Sequence, residues 1–174
     1  MISKNDIKKL YLWGVKTNFP LRNEVITSKY MGYGLKICHL KIGKKRKLYP
    51  NKKLTDEVFD IIGSDEILGA YYLVYPPKMT AKPHIDYNPY KQKYLRIQIP
   101  VKLPEGDCYI EWIDTGGRVY WEKGKAELFN VEKAHQGAND GSERMEFLYI
   151  DVKHNTKVEI WKTIHTFGMV VRDI

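Results

Sequence analysis

Hydrophobic and polar residues follow a strand-like pattern over most of the chain after residue 66. Short runs rich in Tyr, Val and Ile are typical of strands that bury one or both faces. Turn residues such as Gly116-Gly117 separate these runs. The pattern predicts strands at 67–75, 94–101, 107–112, 118–121, 125–130, 146–152 and 157–162. Many short strands with frequent turns predict a mainly β protein, either a sandwich or a double-sheet jelly roll.

Helical periodicity is limited to the first third of the chain. It predicts one helix that has Thr55 as its N-cap, buries the apolar residues of 58–62 and ends at Gly63. A second helix is predicted within residues 5–13. The helices therefore flank the predicted strands.

Length and composition agree with one globular domain. The 174 residues are 43% hydrophobic, 29% charged and 13% aromatic, which excludes disorder, collagen-like repeats and a coiled coil. We predict a single domain over 1–174, in which 1–66 form a basic and helical extension packed on a jelly-roll core at 67–162. The two cysteines lack metal-finger spacing, and no apolar run approaches the roughly 20 residues that span a bilayer. These features predict a soluble, cytoplasmic protein with no membrane partner.

The net charge of +8 belongs to the N-terminal third. Residues 1–53 carry 14 Lys and Arg and two acidic residues, whereas residues 54–174 carry 15 basic and 19 acidic residues. The basic segment 41–53 holds seven of the basic residues and no acidic one. Three interpretations stay open: a solvated loop, a docking surface for an acidic protein or peptide, and a contact with phosphate backbones. No nucleic-acid fold signature accompanies the segment, so nucleic acid is the weaker partner hypothesis.

Candidate metal ligands occur where His84 is followed by Asp86. Side chains at positions i and i+2 of an extended backbone share a face, so the imidazole and the carboxylate converge. Two histidines and one carboxylate form the facial triad of non-haem Fe(II) oxygenases, and His135 is the candidate third ligand. A surface ion pair between His84 and Asp86 is the alternative interpretation.

Arg144 opens the predicted strand at 146–152 and is a candidate anion contact. A guanidinium near a metal offers a bidentate fork to a carboxylate, as a dicarboxylate cosubstrate requires. The alternative is a surface arginine that is paired with Glu143 or Glu146.

Four stretches resemble the Fe(II)/2-oxoglutarate-dependent oxygenases, most closely their aspartyl/asparaginyl β-hydroxylase and proline-hydroxylase-like branch. They are the Tyr-Pro-Pro to His-Ile-Asp run at 75–86, the Leu-Arg-Ile-Gln strand at 95–101, the Trp-Glu-Lys-Gly-Lys run at 121–130, and the distal histidine at 135–139 followed by Arg144. Together they cover 75–152. Gln98 stands where a histidine is common in the family, and Asp86 stands where some β-hydroxylases have glycine.

The resemblance implies a double-stranded β-helix, the cupin-like jelly roll, with Fe(II) and 2-oxoglutarate as cofactors. It implies that His84, Asp86 and His135 bind iron and that Arg144 binds the distal carboxylate of 2-oxoglutarate. Arg96 is a second candidate anion contact. The family's serine contact would fall near Leu73, and Tyr75 or Tyr71 on the same strand face is its candidate replacement. The implied reaction consumes O₂, hydroxylates the side chain of a free or peptidyl amino acid such as Pro, Asp or Asn, and yields succinate and CO₂.

The competing hypothesis is a non-catalytic jelly-roll protein that uses the basic segment 41–53 to bind an acidic or nucleic-acid partner. Joint retention of His84, Asp86, His135 and Arg144 favours the enzyme, because a degenerate oxygenase is expected to lose at least one of them. The loop that contains Tyr87 and Tyr90 directly follows the iron ligands and is expected either to overhang the open metal face or to pack as ordinary strand-flanking residues. The sequence fixes neither the substrate nor the oligomeric state.

Overall fold

The computed structural model describes residues 1–17, 26–27, 36–42, 52–63, 65–129, 132–159, 162–164 and 172–173, with side chains for 1–17, 56–63, 65–129 and 132–159. These residues form two helices, α1 (Lys4–Thr17) and α2 (Lys52–Ile62). The strands are β1 (Ile26–Thr27), β2 (Lys36–Ile42), β3 (Ile67–Tyr75), β4 (Met79–Thr80), β5 (Tyr94–Lys102), β6 (Cys108–Trp112), β7 (Arg118–Tyr120), β8 (Glu127–Phe129), β9 (His135–Asn139), β10 (Met145–Lys153), β11 (Lys162–Ile164) and β12 (Arg172–Asp173).

The strands build two facing sheets. The larger has eight strands in the order β1-β2-β3-β10-β5-β8-β11-β12, and the smaller has four in the order β4-β9-β6-β7. Strand pairing is antiparallel except between β8 and β11. The prediction of a mainly β double-stranded β-helix with flanking helices is confirmed.

The larger sheet has two chemically different faces, which we call the inner face, turned toward the smaller sheet, and the outer face, covered by the helices. Strand alternation separates them along β10. Leu148 and Ile150 belong to the outer cluster with Leu10 of α1. Phe147 belongs to the inner cluster with Trp112 of the smaller sheet. Both faces of the central strands are therefore buried, which explains their nearly continuous apolar sequence.

The helices are fixed at their ends by local hydrogen bonds. Ser3 precedes α1, and its hydroxyl accepts from the backbone N–H of Asp6 while its own N–H donates to the Asp6 carboxylate, a reciprocal cap. α2 ends as predicted at Gly63, which has φ 74° and donates its N–H to the Phe59 carbonyl. The predicted N-cap at Thr55 is wrong, because α2 begins at Lys52. The preceding Lys-Lys-Leu residues have high helix propensity and extend the helix backward.

The predicted strands differ from the observed ones where composition is ambiguous. Strand β3 matches its prediction at both ends. Of the predicted strand at 157–162, residues 157–159 are not in a strand, 160 and 161 lie outside the described residues, and 162 begins β11. There, Val158 makes only an isolated bridge to Ile2. The sequence does not predict β9, because His-Gln-Gly-Ala-Asn has no apolar alternation. This strand forms through its pairing with β6 and β4.

Two predictions from the sequence are not tested by the described residues. The side chains of the basic segment 41–53 lie outside the described residues, so the hypotheses about its partner stay predictions. The domain division at residue 66 likewise stays a prediction. None of the described helices is long and apolar enough to cross a membrane.

Candidate metal centre

Three side chains from two distant segments converge at one end of the smaller sheet. His84 and His135 form an isolated antiparallel bridge, in which the N–H of each donates to the carbonyl of the other over 3.0 and 2.9 Å. Residues paired in this way present their side chains on the same face, and the imidazole centroids lie 4.7 Å apart. Asp86, two residues after His84, completes a cluster whose ligand atoms lie within 4.8 Å of one another.

The imidazoles are oriented by backbone carbonyls. His84 Nδ1 lies 2.7 Å from the Lys82 carbonyl oxygen, and His135 Nδ1 lies 2.8 Å from that of Lys133. A carbonyl only accepts hydrogen bonds, so each Nδ1 carries a proton, and each Nε2 has a free lone pair whenever its imidazole is neutral. The two Nε2 atoms face the Asp86 carboxylate at 3.4 and 3.9 Å. This is the arrangement that orients metal-binding histidines in proteins, and the three side chains therefore fit a divalent metal.

The charge states of the cluster also suit a metal. Burial opposes ionisation of Asp86, but Arg96 and the hydrogen bond with His84 outweigh it and hold the pKa of this carboxyl well below its usual range. Burial lowers the pKa of His135, which stays neutral at neutral pH. Burial also acts against protonation of His84, but hydrogen bonding to Asp86 and Lys82 raises its pKa above the ordinary value. A metal ion therefore competes with a proton mainly at His84.

A buried arginine stands directly behind the carboxylate of Asp86. Arg96, on the inner face of β5, donates from Nη1 to Asp86 Oδ2. Its Nε and Nη2 donate to the two oxygens of Asp151 on β10, at 2.7 and 2.9 Å. Three of the five guanidinium N–H groups are therefore engaged, and two are left for another acceptor. The guanidinium carbon also lies 5.2 to 5.8 Å from the ring centroids of Tyr71, Tyr94 and Tyr149.

Tyr75 lies deep in the same space. It ends β3 on the inner face beside the Tyr149 hydroxyl, and burial raises its pKa to about 12. A Cβ at position 137 would lie 2.9 Å from the Tyr75 hydroxyl, so Gly137 of β9 makes room for this ring. The structure thus places Tyr75 and Arg96 together on the side of the cluster formed by the larger sheet.

The structure does not bring Arg144 to the cluster. Its Nε pairs with the carboxylate of Glu146, which also accepts from Tyr72 on the outer face, and the Arg144 side chain is 36% exposed. This pairing with Glu146 is the surface alternative that the sequence left open. The contact between Arg144 and a cosubstrate therefore stays a prediction without support from its position.

Sequence reasoning missed Asp151, which is fully buried beside Arg96. A detectable signal was a carboxylate inside the apolar run of β10, on the same alternating face as Tyr149. In the loop after the candidate ligands, the two tyrosines point in opposite directions. Tyr87 is 85% exposed, whereas the Tyr90 hydroxyl reaches inward and donates to Asp151 over 2.7 Å.

Comparisons with known proteins place the sequence in a family and agree with the fold. A sequence model of the aspartyl/asparaginyl β-hydroxylase family matches residues 27–155. A 2OG-Fe(II) oxygenase family oxidoreductase from Burkholderia pseudomallei superposes with a TM-score of 0.55 at 10% identity, covering 84% of this chain and 79% of that one. A prolyl-4-hydroxylase from Pseudomonas putida gives 0.49 at 11% identity, with coverages of 86% and 87%.

A predicted oxalate decarboxylase from Thermotoga maritima is also similar, with a TM-score of 0.41 at 14% identity over 68% of this chain and 80% of that one. No curated protein matches the chain significantly in sequence. At such low identity the solved structures bear on the fold alone. The family match, in contrast, spans most of the sequence and includes the three clustered side chains. The chain therefore belongs to the aspartyl/asparaginyl β-hydroxylase family.

Proposed function

We propose that the protein is an Fe(II)- and 2-oxoglutarate-dependent dioxygenase that hydroxylates the side chain of a free or peptidyl amino acid such as Pro, Asp or Asn. The observation that carries this proposal is the cluster of His84, Asp86 and His135, with both Nε2 lone pairs and an ionised carboxylate turned toward one point. Two histidines and one carboxylate leave one face of a metal open for cosubstrate and O₂.

His84, Asp86 and His135 would hold the iron. When bound, iron and 2-oxoglutarate supply the oxidation, in which O₂ is consumed, 2-oxoglutarate becomes succinate and CO₂, and a substrate C–H becomes C–OH. The chain's own contribution is to fix the three ligands. The carbonyls of Lys82 and Lys133 set the tautomers of the histidines. Arg96 keeps Asp86 ionised, so its carboxylate is ready to bind a cation.

We assign the carboxylate contact to Arg96, assisted by Tyr75. Arg96 has two N–H groups without an assigned acceptor and lies on the inner face beside Asp86. Two buried donors nearby, the Tyr94 hydroxyl and Trp112 Nε1, have no hydrogen-bond partner within the described part of the chain. Trp112 is the cross-strand neighbour of His135. Because unpaired buried donors are costly, a polar anion such as 2-oxoglutarate would satisfy them.

The substrate would approach from the side of His84. The side chains of His84 and Asp86 are 23% and 16% exposed, whereas that of His135 is 7% exposed, so solvent reaches the cluster from the 84–86 segment. Ile85 and Tyr87 flank the ligands at this opening and are largely exposed. We infer that they contact the residue that is hydroxylated or its neighbours.

An anaerobic titration with Fe(II) and 2-oxoglutarate, followed by admission of O₂, tests the proposal. We expect both ligands to bind and succinate to form slowly even without substrate. His135→Ala should abolish iron-dependent succinate formation, because it removes one of three ligands. His154→Ala is the matched control, since His154 is an exposed histidine outside the cluster. Binding without succinate would favour the non-catalytic alternative, and failure to bind either ligand would refute the metal centre.

A further inference from the structure

Asp151 is the most deeply buried carboxylate around the candidate metal centre. It is fully buried, and its two oxygens accept from Arg96 Nε, Arg96 Nη2 and the Tyr90 hydroxyl at 2.7, 2.9 and 2.7 Å. It does not belong to the cluster of possible metal ligands. Its oxygens are engaged by protein donors, so its role is to hold other side chains rather than to bind a ligand.

We propose that Asp151, held in place by Tyr90, is a positioning residue for the metal centre: it fixes the Arg96 guanidinium and, through it, the Asp86 carboxylate. This inference rests on the proposed metal site. Asp151 and Arg96 are directly opposite each other on β10 and β5, and they meet in a two-point contact that sets the plane of the guanidinium. The remaining terminal nitrogen, Nη1, is thereby directed at Asp86 Oδ2.

Charge balance gives Asp151 a second effect on Asp86. With Asp151 present, the positive charge of Arg96 is shared between two carboxylates. Without it, Asp86 would be the sole acidic partner of Arg96 among the described contacts, and this partly buried pair would hold its two members more strongly. Asp86 would then be less available to a divalent cation. Loss of the Asp151 charge should therefore weaken metal binding in two ways, by releasing the Arg96 guanidinium and by tightening its pair with Asp86.

Position 69 shows how Tyr90 reaches Asp151. Gly69 is the residue of β3 directly opposite Asp151, on the other side from Arg96. A Cβ at this position would overlap the Tyr90 hydroxyl and lie 2.7 Å from the Tyr71 hydroxyl. Gly69 therefore leaves the gap through which the phenol of Tyr90 enters. Because Tyr90 follows Asp86 closely in the chain, this contact also ties the ligand-bearing segment to β10.

Metal titration of matched variants tests the proposal without relying on turnover. Mn(II) affinity is measured by the electron paramagnetic resonance signal of the free ion, for the wild type, Asp151→Asn and Glu146→Gln. Glu146 is the control, since it is a buried, arginine-paired carboxylate on the opposite face of β10. We expect Asp151→Asn to weaken Mn(II) binding by about tenfold or more, and Glu146→Gln to change it by less than about twofold.

The outcomes separate the two proposals. If the wild type does not bind Mn(II), the proposed metal site fails. If the wild type binds and Asp151→Asn binds equally well, the positioning role of Asp151 is overturned. Absorption spectra of the Co(II)-loaded proteins give a second readout, since a displaced Asp86 should alter the ligand-field bands in Asp151→Asn and not in Glu146→Gln. Unchanged bands in Asp151→Asn would count against the proposal.

Milder variants keep the test decisive if Asp151→Asn does not fold. Tyr90→Phe removes one hydrogen bond to Asp151, and Gly69→Ala closes the gap that the Tyr90 hydroxyl occupies. We expect each to weaken Mn(II) binding by up to about fivefold, the equivalent of one hydrogen bond. Tyr120→Phe is the control, since Tyr120 is an exposed tyrosine of β7 outside the cluster, and it should leave Mn(II) affinity unchanged. Wild-type affinity in both Tyr90→Phe and Gly69→Ala would overturn the proposal.

Discussion

Two arginine–carboxylate pairs lie on opposite faces of strand β10 and illustrate how position changes the role of the same chemistry. On the inner face, Arg96 and Asp151 are both buried, and Arg96 continues to Asp86. On the outer face, Arg144 is one-third exposed, and its partner Glu146 continues to the hydroxyl of Tyr72. The inner pair belongs to the candidate metal centre, whereas the outer pair joins two neighbouring strands.

The difference arises from strand alternation rather than from the residues themselves. Asp151 and Glu146 are five positions apart on one strand, so they point to opposite sides of the sheet. Only the inner side faces the smaller sheet that carries His135. An arginine near a metal motif in sequence is therefore informative only when its face of the sheet is known.

The largest expected difference between the two pairs is in the free energy of unfolding after each arginine is removed. Arg96→Leu leaves the buried carboxylate of Asp151 and the partly buried one of Asp86 without their cation, so we expect the free energy of unfolding to fall by about 3–5 kcal/mol. Arg144→Leu should lower the free energy of unfolding by about 1 kcal/mol or less, because the pair is partly solvated. Urea denaturation of both variants measures the difference. Equal losses would show that the two pairs are energetically equivalent.

Truncation of an outer-face core residue should separate stability from metal binding. Leu148 is completely buried against the helices. Leu148→Ala should lower the free energy of unfolding by about 2–5 kcal/mol through cavity formation. The Mn(II) affinity of the folded variant should stay within about twofold of the wild type. A much larger change in Mn(II) affinity would mean that the outer face controls the geometry of the inner one.

Alkaline pH should destabilise the inner face. Burial raises the pKa of Tyr75 to about 12, from an ordinary value of 10, and also raises the pKa of Tyr71 and Tyr149. A phenol with a raised folded-state pKa contributes its full stability below pH 10, and this contribution is lost as the pH rises through 12. For Tyr75 alone the loss is about 2 kcal/mol, and Tyr75→Phe should reduce the decline seen by urea denaturation between pH 9 and 12.

The smallest expected effect is that of substituting Arg144 on the binding of 2-oxoglutarate. Because Arg144 pairs with Glu146 on the outer face, Arg144→Gln should leave the dissociation constant of 2-oxoglutarate within about twofold, as measured by anaerobic calorimetry with Mn(II). Arg96→Lys, which keeps the charge and loses the planar fork, should weaken 2-oxoglutarate binding about tenfold. The opposite ranking would restore the role that the sequence assigns to Arg144.

The sequence predicts those parts of the protein that depend on local patterns. Strand β3 is predicted at both ends because its run of Tyr, Leu and Val is bounded by turns. The spacing of His84 and Asp86 identifies two members of the cluster because strand geometry relates positions two residues apart. The structure brings His135 to them through a backbone bridge between distant segments.

The remaining features depend on contacts between distant residues. The strand that carries His135 has low intrinsic β propensity and forms because β6 and β4 supply its hydrogen bonds. Arg96, and not Arg144, lies beside the candidate metal centre because Arg96 is on the face of the larger sheet that meets the smaller sheet. Asp151 acquires its role from residues opposite it on two neighbouring strands, Arg96 and Gly69, and neither is close to it in sequence.

The backbone bridge between His84 and His135 has a consequence for how the protein resists unfolding. These residues begin and end a long stretch of chain that includes β5, β6, β7 and β8. A metal ion shared by both imidazoles would act as a removable cross-link that closes this stretch into a loop and lowers the entropy of the unfolded chain when it persists there. An ion that binds only the folded form stabilises it in proportion to the logarithm of its concentration. The free concentration of such an ion would then help to set the stability of the folded chain.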